Sequence, residues 1–418
     1  MPVPDKLVIH GGRRLTGDVR IGGGKNTSLP VLSAALLCDE PVRIENLPDI
    51  NDIRVLIEIL RGLGVRITRD GDDAVVDPTR LTGTSPRPDL CQKFRASYYL
   101  LGALLGKVGE GTVSYPGGCD FGARPIDQHV KGFRGLSAEV EEHADFVTAR
   151  AKALQGAEIY FDLVTVGGTI NVMLAACRAS GNTILHNAAK EPHIVDTANF
   201  LNSMGAHIRG AGTNMIRIRG VERLHGCTYS VIPDQIQTGT MMIAAAATQG
   251  DVCIHGCIPA HMESLSAKLL EIGVRVDDQD DVIRVRSLGG HRAVNVKTQV
   301  YPGFPTDLQQ PMSSLLTTAA GTSIVTETIF DQRFKHLEQM IRMGVRANVQ
   351  GRVATIEGVP GLIGAPVVAS DLRAGAALVI AGLMAQGNTE IENVDMIDRG
   401  YERIDDRLRA LGADIRRT

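Results

Sequence analysis

The chain has 418 residues, too many for one ordinary hydrophobic core and enough for two domains of about 200. Hydrophobic residues make up 44% and charged residues 22%, which excludes a disordered chain. A net charge of −3 with no Lys/Arg-rich tract excludes a general nucleic-acid binder. Gly is abundant at 46 residues and aromatics are sparse at 4%, a composition suited to many tight turns and aliphatic helix–sheet packing. Seven scattered Cys fit reduced thiols in a cytoplasm better than a disulfide framework. The N-terminal residues show no charged-then-apolar signal pattern, and no apolar run is long enough to span a bilayer.

The first expected elements are strands over Lys6 to His10 and Val19-Arg20-Ile21. Next comes Gly22-Gly23-Gly24-Lys25-Asn26, leading into an apolar helix from Leu29 to Leu37. The full P-loop spacing is absent, so a nucleoside triphosphatase is not indicated. What remains is either a pliant backbone that brings Lys25 to an anion at a helix start, or a plain turn with a solvated Lys.

A strand follows at Pro41-Val42-Arg43-Ile44, then an amphipathic helix ending in Leu63-Gly64-Val65. That ending recurs at Leu136-Ser137-Ala138, Met204-Gly205-Ala206, Ile272-Gly273-Val274, Met343-Gly344-Val345 and Leu411-Gly412-Ala413. The central residues are 73, 68, 68, 71 and 68 positions apart, the signature of a repeated structural unit. Gly there reads as a helix C-cap, where positive φ is cheapest, and Ser137 departs from it.

Matching strands recur at Thr183-Ile184-Leu185, Asp251 to Ile254, Ser323-Ile324-Val325 and Thr389-Glu390-Ile391. The stretches Val172 to Ala176, Met241 to Ala247 and Ala374 to Met384 have little polar face, and helices apolar all round are buried. The expected architecture is therefore α/β with helices inside and sheets outside. Six units fall into two groups of three, giving two similar domains with a ligand cleft between them. One domain takes residues 1–24 and 233–418 with both termini; the other takes 25–232.

Beside the Lys25 segment, further sets of residues carry chemistry. Phe94-Arg95-Ala96-Ser97 and Asp398-Arg399-Gly400-Tyr401 place Arg at element ends. The glycine-bracketed loop from Pro116 to His129 holds Cys119 close to Arg124, a setting that favours thiolate if the loop is a moving lid, and a plain structural Cys if it is rigid. Asp234, Asp307 and Asp371 each stand at the start of an expected buried helix, where Asp is usually an N-cap. Helix starts repeated around a pseudo-symmetric domain also converge on one face and jointly favour an anion. Cys253-x3-Cys257 with His255 and His261 matches no common zinc spacing.

On these residues the chain resembles the UDP-N-acetylglucosamine 1-carboxyvinyltransferase (enolpyruvyl transferase) family. The shared segments run end to end: Gly24-Lys25-Asn26, Phe94 to Tyr98, Pro116 to His129, Asn187 to Pro192, Phe304 to Asp307, Ser370 to Ala374 and Asp398 to Glu402. The resemblance implies a two-domain inside-out α/β barrel, with six βαβαββ-type repeats, three per domain. It implies transfer of the enolpyruvyl group of phosphoenolpyruvate to the 3'-hydroxyl of a uridine-nucleotide sugar, with no metal or organic cofactor, no nucleic acid and no membrane. Cys119 then looks like the acid on the lid and the target of fosfomycin. Lys25, Arg124 and Arg399 look like the phosphoenolpyruvate clamp, and Asp307 like a candidate base beside the sugar hydroxyl. Asn26 and Asp307 would hold the sugar, with Ile329 and Arg373 also on substrate. Arg95 and Thr165-Val166-Gly167 would serve the diphosphate; Arg124, Pro125, Ile126, Asp127, Gln128 and His129 would wrap the uridine.

Two departures from the family pattern stand out. Pro233-Asp234-Gln235-Ile236-Gln237 stands where relatives read Pro-Asp-Arg-Ile-Glu, and Leu163 stands where some carry Lys. Both bear on the acceptor, and keep open a paralogue that uses another uridine nucleotide such as UMP.

Overall fold

The computed structural model describes residues 6–115 and 125–418. These divide into two compact units. One comprises residues 6–22 and 233–418, the other residues 23–115 and 125–232. Each has its own aliphatic core.

In the second unit the helices Lys25–Ala34, Tyr99–Val108 and Val166–Ala176 are buried along nearly their whole length. In the first unit Gln235–Ala247, Thr306–Leu316 and Leu372–Met384 occupy the same position, and every residue from Leu372 to Leu383 is buried. A helix buried all round cannot keep a polar face, so its sequence is Ala-, Leu-, Ile- and Gly-rich. Each fully buried Leu or Ile side chain contributes about 1.5–3 kcal/mol relative to exposure. The helix near Leu29 begins at Lys25, earlier than its apolar run suggests, and tightens into a 3-10 turn over Ala35–Leu37.

Among the described residues there are six sheets, five of four strands and one of three. Three belong to each unit. Their recurring plan is an antiparallel three-strand core with one parallel strand at its edge. In one sheet Asp251–His255 pairs antiparallel with Val282–Arg286 and parallel with Thr16–Arg20, Ile254 facing Val19. The strand Leu7–His10 lies antiparallel between Asn388–Glu392 and Asp414–Arg417, with Val8 opposite both Glu390 and Arg416. Both N-terminal strands are therefore stitched into sheets formed by the C-terminal half. This architecture is the inside-out α/β arrangement that the resemblance implied.

The repeat endings have one backbone. Gly64, Gly205, Gly273, Gly344 and Gly412 take φ of 97°, 99°, 106°, 93° and 98° after the amphipathic helices. Ser137 adopts the same left-handed region at φ 67°. The departure in sequence is thus not a departure in conformation; Ser137 accepts strain that glycine avoids.

This generates a paired test. A Cβ at Gly344 meets nothing within 4 Å, so Gly344→Ala probes φ alone. It should cost about 1 kcal/mol, whereas Ser137→Gly should stabilise by up to about 1 kcal/mol. Denaturation midpoints of the two variants against the parent measure both, and the shifts should have opposite signs.

Candidate active site

Within the first unit, three buried helices start close together, and Arg373 links them. Arg373 is 3% exposed and donates from Nη2 to Asp307 Oδ2 at 2.8 Å. Its guanidinium carbon lies 5.4 Å from the centre of the Tyr401 ring, and the Tyr401 hydroxyl is 2.9 Å from that of Thr240 on the helix Gln235–Ala247. Burial alone would weaken the charge of Arg373, but the Asp307 carboxylate, with Tyr401 and Asp234, holds its pKa above the ordinary range.

The three aspartates play different parts. Asp234 caps its helix through Oδ1, accepting from Ile236 and Gln237 N–H at 2.7 and 3.0 Å. Asp371 caps likewise, accepting from Arg373 and Ala374 N–H at 3.0 Å each. Asp307 is not a cap. Pro305 occupies the N-cap of Thr306–Leu316 without a side-chain bond, and Asp307 sits one residue into the helix. Its carboxylate lies between two guanidiniums, with Arg333 Nη2 on Oδ1 at 2.6 Å and Arg373 on Oδ2. Two charge-assisted contacts on separate oxygens favour the ionised carboxylate and fix its plane.

Arg333 was not singled out from sequence. It lies in an aperiodic stretch between the strand Thr322–Thr326 and the helix Lys335–Ile341, where no apolar pattern announces burial. It is nonetheless 3% exposed. The only available signal was an Arg flanked by Phe330 and Phe334, and its guanidinium carbon does stand 4.7 Å from the Phe330 ring centre. Ile329 is half-buried in the same turn. Arg399 is half-buried at the C-cap of Val394–Asp398.

In the second unit, Gly24 is the N-cap of Lys25–Ala34, again without a side-chain bond. Gly23 has no room for a side chain, because a Cβ there would stand 1.8 Å from the Asn46 carbonyl oxygen. Lys25 reaches Asp52 at 3.6 Å, and both are mostly buried. Asn26 is half-buried on the same first turn.

A second cluster forms around His129. Asn171 accepts from Gly102 N–H through Oδ1 at 2.8 Å, so its Nδ2 is a donor. It gives those hydrogens to Tyr98 O and to His129 Nδ1, at 2.8 and 2.9 Å. Nδ1 is thereby the acceptor, and the ring proton sits on Nε2. A Cβ at Gly167 would stand 3.0 Å from that Nε2, so the ring abuts the start of Val166–Ala176, which Thr165 caps through Gly168 N–H. Arg95 stacks 5.6 Å from the Tyr98 ring centre, and Tyr98 and His129 rings are 5.7 Å apart. Arg95, Thr165, Gly167 and His129 are thus brought together, and burial lowers the pKa of Arg95. Gln128 is buried, with its amide committed to Asp162 and Asp127 at 2.7 to 3.1 Å. Asp127 and Pro125 are exposed and Ile126 is buried. Cys119 and Arg124 lie outside the described residues. Of the other cysteines four are buried and two half-buried. Burial raises Cys91, Cys227 and Cys257 to about 11 and Cys177 to about 12, and raises Cys38 too.

With this geometry in hand, the comparisons decide the family. A profile of the family described as EPSP synthase (3-phosphoshikimate 1-carboxyvinyltransferase) matches residues 9–408. A UDP-N-acetylglucosamine 1-carboxyvinyltransferase 3 of Caldanaerobacter subterraneus subsp. tengcongensis is 55% identical over 411 residues, covering 98% of this chain and 99% of that protein. The chain belongs to the UDP-N-acetylglucosamine 1-carboxyvinyltransferase family. A further relative of that name from Clostridium botulinum is 54% identical over 412 residues, 98% of this chain and 99% of its own length. Among solved structures, the enolpyruvyl transferase NikO from Streptomyces tendae superposes with a TM-score of 0.90 at 28% identity, covering 100% and 99% of the two chains. An EPSP synthase from Acinetobacter baumannii superposes at 0.73 and 16% identity over both full lengths, a match of fold.

The His129 cluster has a titration signature. Burial, reinforced by the charge of Arg95, pushes His129 down to about 3 from an ordinary 6.5. The folded chain therefore refuses a proton that the unfolded chain takes below pH 6.5. Stability carried by this ring is complete above pH 6.5 and is lost as pH falls towards about 3. Between pH 7 and pH 5 the His129 ring resonances should stay fixed in a heteronuclear NMR titration. Movement with a midpoint near 6.5 would mean an open, hydrated ring.

Proposed function

We propose that this protein transfers the carboxyvinyl group of phosphoenolpyruvate to the 3'-hydroxyl of UDP-N-acetylglucosamine and releases phosphate, the first committed step of peptidoglycan precursor synthesis. The observation that carries the reading is identity of 51–55% to relatives of that name over 98% or more of the chain. No organic or metal cofactor is part of it.

Phosphoenolpyruvate brings about three negative charges, which call for several cations, Arg gripping bidentately. Lys25, Arg124 and Arg399 take that part. Arg95 and the amides at Thr165, Val166 and Gly167 serve the diphosphate, beside the Nε2–H of His129. Asn26, Ile329 and Asp307 hold the sugar.

The chemistry follows from charge. The sugar oxygen attacks C2 while C3 gains a proton from Cys119, and positive charge develops at C2 in between. Asp307 accepts a hydrogen bond from the attacking hydroxyl. Gripped by two guanidiniums it is a modest base, and it takes the proton as the new C–O bond forms. The Cys119 thiolate then takes a proton back from C3 as the C2–O bond to phosphate breaks, the double bond re-forms, and the proton on Asp307 leaves with the phosphate.

The acceptor is the point where Gln235, Gln237 and Leu163 matter. Gln237 is 3% exposed on the first turn of its helix, and Leu163 is 53% exposed. Phosphate release measured with UDP-N-acetylglucosamine, with UMP and without acceptor decides among these. In that assay Asp307→Asn should still bind the nucleotide sugar by calorimetry yet turn over at least about a hundredfold more slowly, the scale of acid–base contributions. Parent-like turnover in Asp307→Asn removes its assignment.

Fosfomycin tests the lid. The Cys119 thiolate attacks an epoxide carbon, the C–O bond opens, and the alkoxide takes a proton. One adduct is expected, on Cys119, formed faster with the nucleotide sugar present. The five thiols raised by burial should stay unmodified, and Cys119→Ser should give no adduct. Peptide mass spectrometry locates the label; label elsewhere overturns the assignment of Cys119.

A further inference from the structure

Glu327 is an ionisable side chain that the mechanism above does not use, and it is 1% exposed. Its carboxylate accepts four hydrogen bonds. Oε1 takes Thr298 Oγ1 at 2.9 Å and the N–H groups of Ile329 and Phe330 at 2.8 and 3.2 Å; Oε2 takes Thr306 Oγ1 at 2.8 Å. Among the described residues no Lys or Arg pairs with it directly. Burying a carboxylate without a cation is costly, and is tolerated when its lone pairs are engaged as they are here.

The four donors are not scattered. Two of them lead to Arg333. Thr306 accepts from Arg333 Nη1 at 3.0 Å. A guanidinium only donates, so the single Thr306 proton must go to Glu327, which leaves a lone pair facing Arg333. The second route is the turn. Glu327 fixes the amide of Phe330, and the Phe330 ring carries Arg333 at 4.7 Å. The far end of Arg333 is the Nη2 that meets Asp307. The Ile329 amide is held by the same carboxylate oxygen as that of Phe330.

We propose that Glu327 is a positioning residue for the transfer reaction: through the Thr306 hydroxyl and the 328–330 turn it sets the direction of Arg333, and hence the plane of the Asp307 carboxylate. The proposal rests on the reading that Asp307 meets the reacting hydroxyl. A neutral amide at 327 cannot reproduce it. Its NH2 donates, so one side of the four-donor cradle loses its acceptor.

Kinetics of Glu327→Gln, Thr306→Val, their double variant, Thr306→Ser and Asp307→Asn test it. Glu327→Gln and Thr306→Val should each lower kcat by about tenfold or more with KM for phosphoenolpyruvate within about twofold, because the interaction lost matters in the transition state. The double variant should be no slower than the worse single one, as expected for two parts of one relay. Thr306→Ser keeps the hydroxyl and should recover most of what Thr306→Val loses. Parent-like kcat in Glu327→Gln overturns the proposal. So do multiplying effects in the double variant, or a loss that vanishes when the assay is run well below the variant's melting temperature. If Asp307→Asn is slow while Glu327→Gln is not, this inference alone fails. If Asp307→Asn turns over like the parent, both readings fail.

Discussion

A carboxylate shared by two buried guanidiniums is the constraint on which the first unit is arranged. Arg333 and Arg373 are each 3% exposed, and Asp307 sets one carboxylate oxygen against each, which offsets part of the cost of burying their charges. The converse also holds. Separate donors on its two oxygens hold the plane of the Asp307 carboxylate on its first helical turn. Because Arg373 belongs to one buried helix and Asp307 to another, the ion pair also fixes how those helix starts meet. Tyr401 and Thr240 extend the link to the third helix. Packing and site geometry therefore rest on the same contacts.

The helix starts divide by how their amides are used. Asp234 and Asp371 turn inward and satisfy their own helices, as an N-cap does. The helices beginning at Lys25 and Thr306 have Gly24 and Pro305 at the cap and no side chain bonded there. The two uncapped starts carry Lys25, Asn26 and Asp307, the residues that the resemblance assigned to substrate.

The fold was legible because its repeat is written in backbone terms. Five glycines mark positions of positive φ, which show in a sequence whatever the packing around them, and Ser137 joins them by its spacing alone. The all-apolar helices were equally plain, since burial on every side leaves no polar stripe to confuse the reading. The site was legible only where a residue type is unusual for its place, as with Lys25 after three glycines. Arg333 and Glu327 were not. Thr326-Glu327-Thr328 reads as the polar end of a strand, and nothing local reveals that this Glu is sealed under the turn that follows. Its burial is decided by Thr298 and Thr306, tens of residues back along the chain. Asp307 showed the opposite difficulty. A cap and a clamped carboxylate have the same sequence signature, and only the arginines distinguish them.

The stitching of Leu7–His10 between Asn388–Glu392 and Asp414–Arg417 imposes an order on biosynthesis. His10 and its partner Asn388 are 378 positions apart. At ribosomal rates of about 5–20 residues per second the early strand waits on the order of tens of seconds for its neighbours. Residues 23–232, apart from the stretch that is not described, form a unit from one continuous stretch and can complete their core while the rest is still being made. The nascent chain meanwhile carries a short strand with two open edges. Exposed edges of that kind invite pairing with other chains. Late closure of this sheet makes the emerging polypeptide, more than the finished enzyme, the form in greatest need of a chaperone.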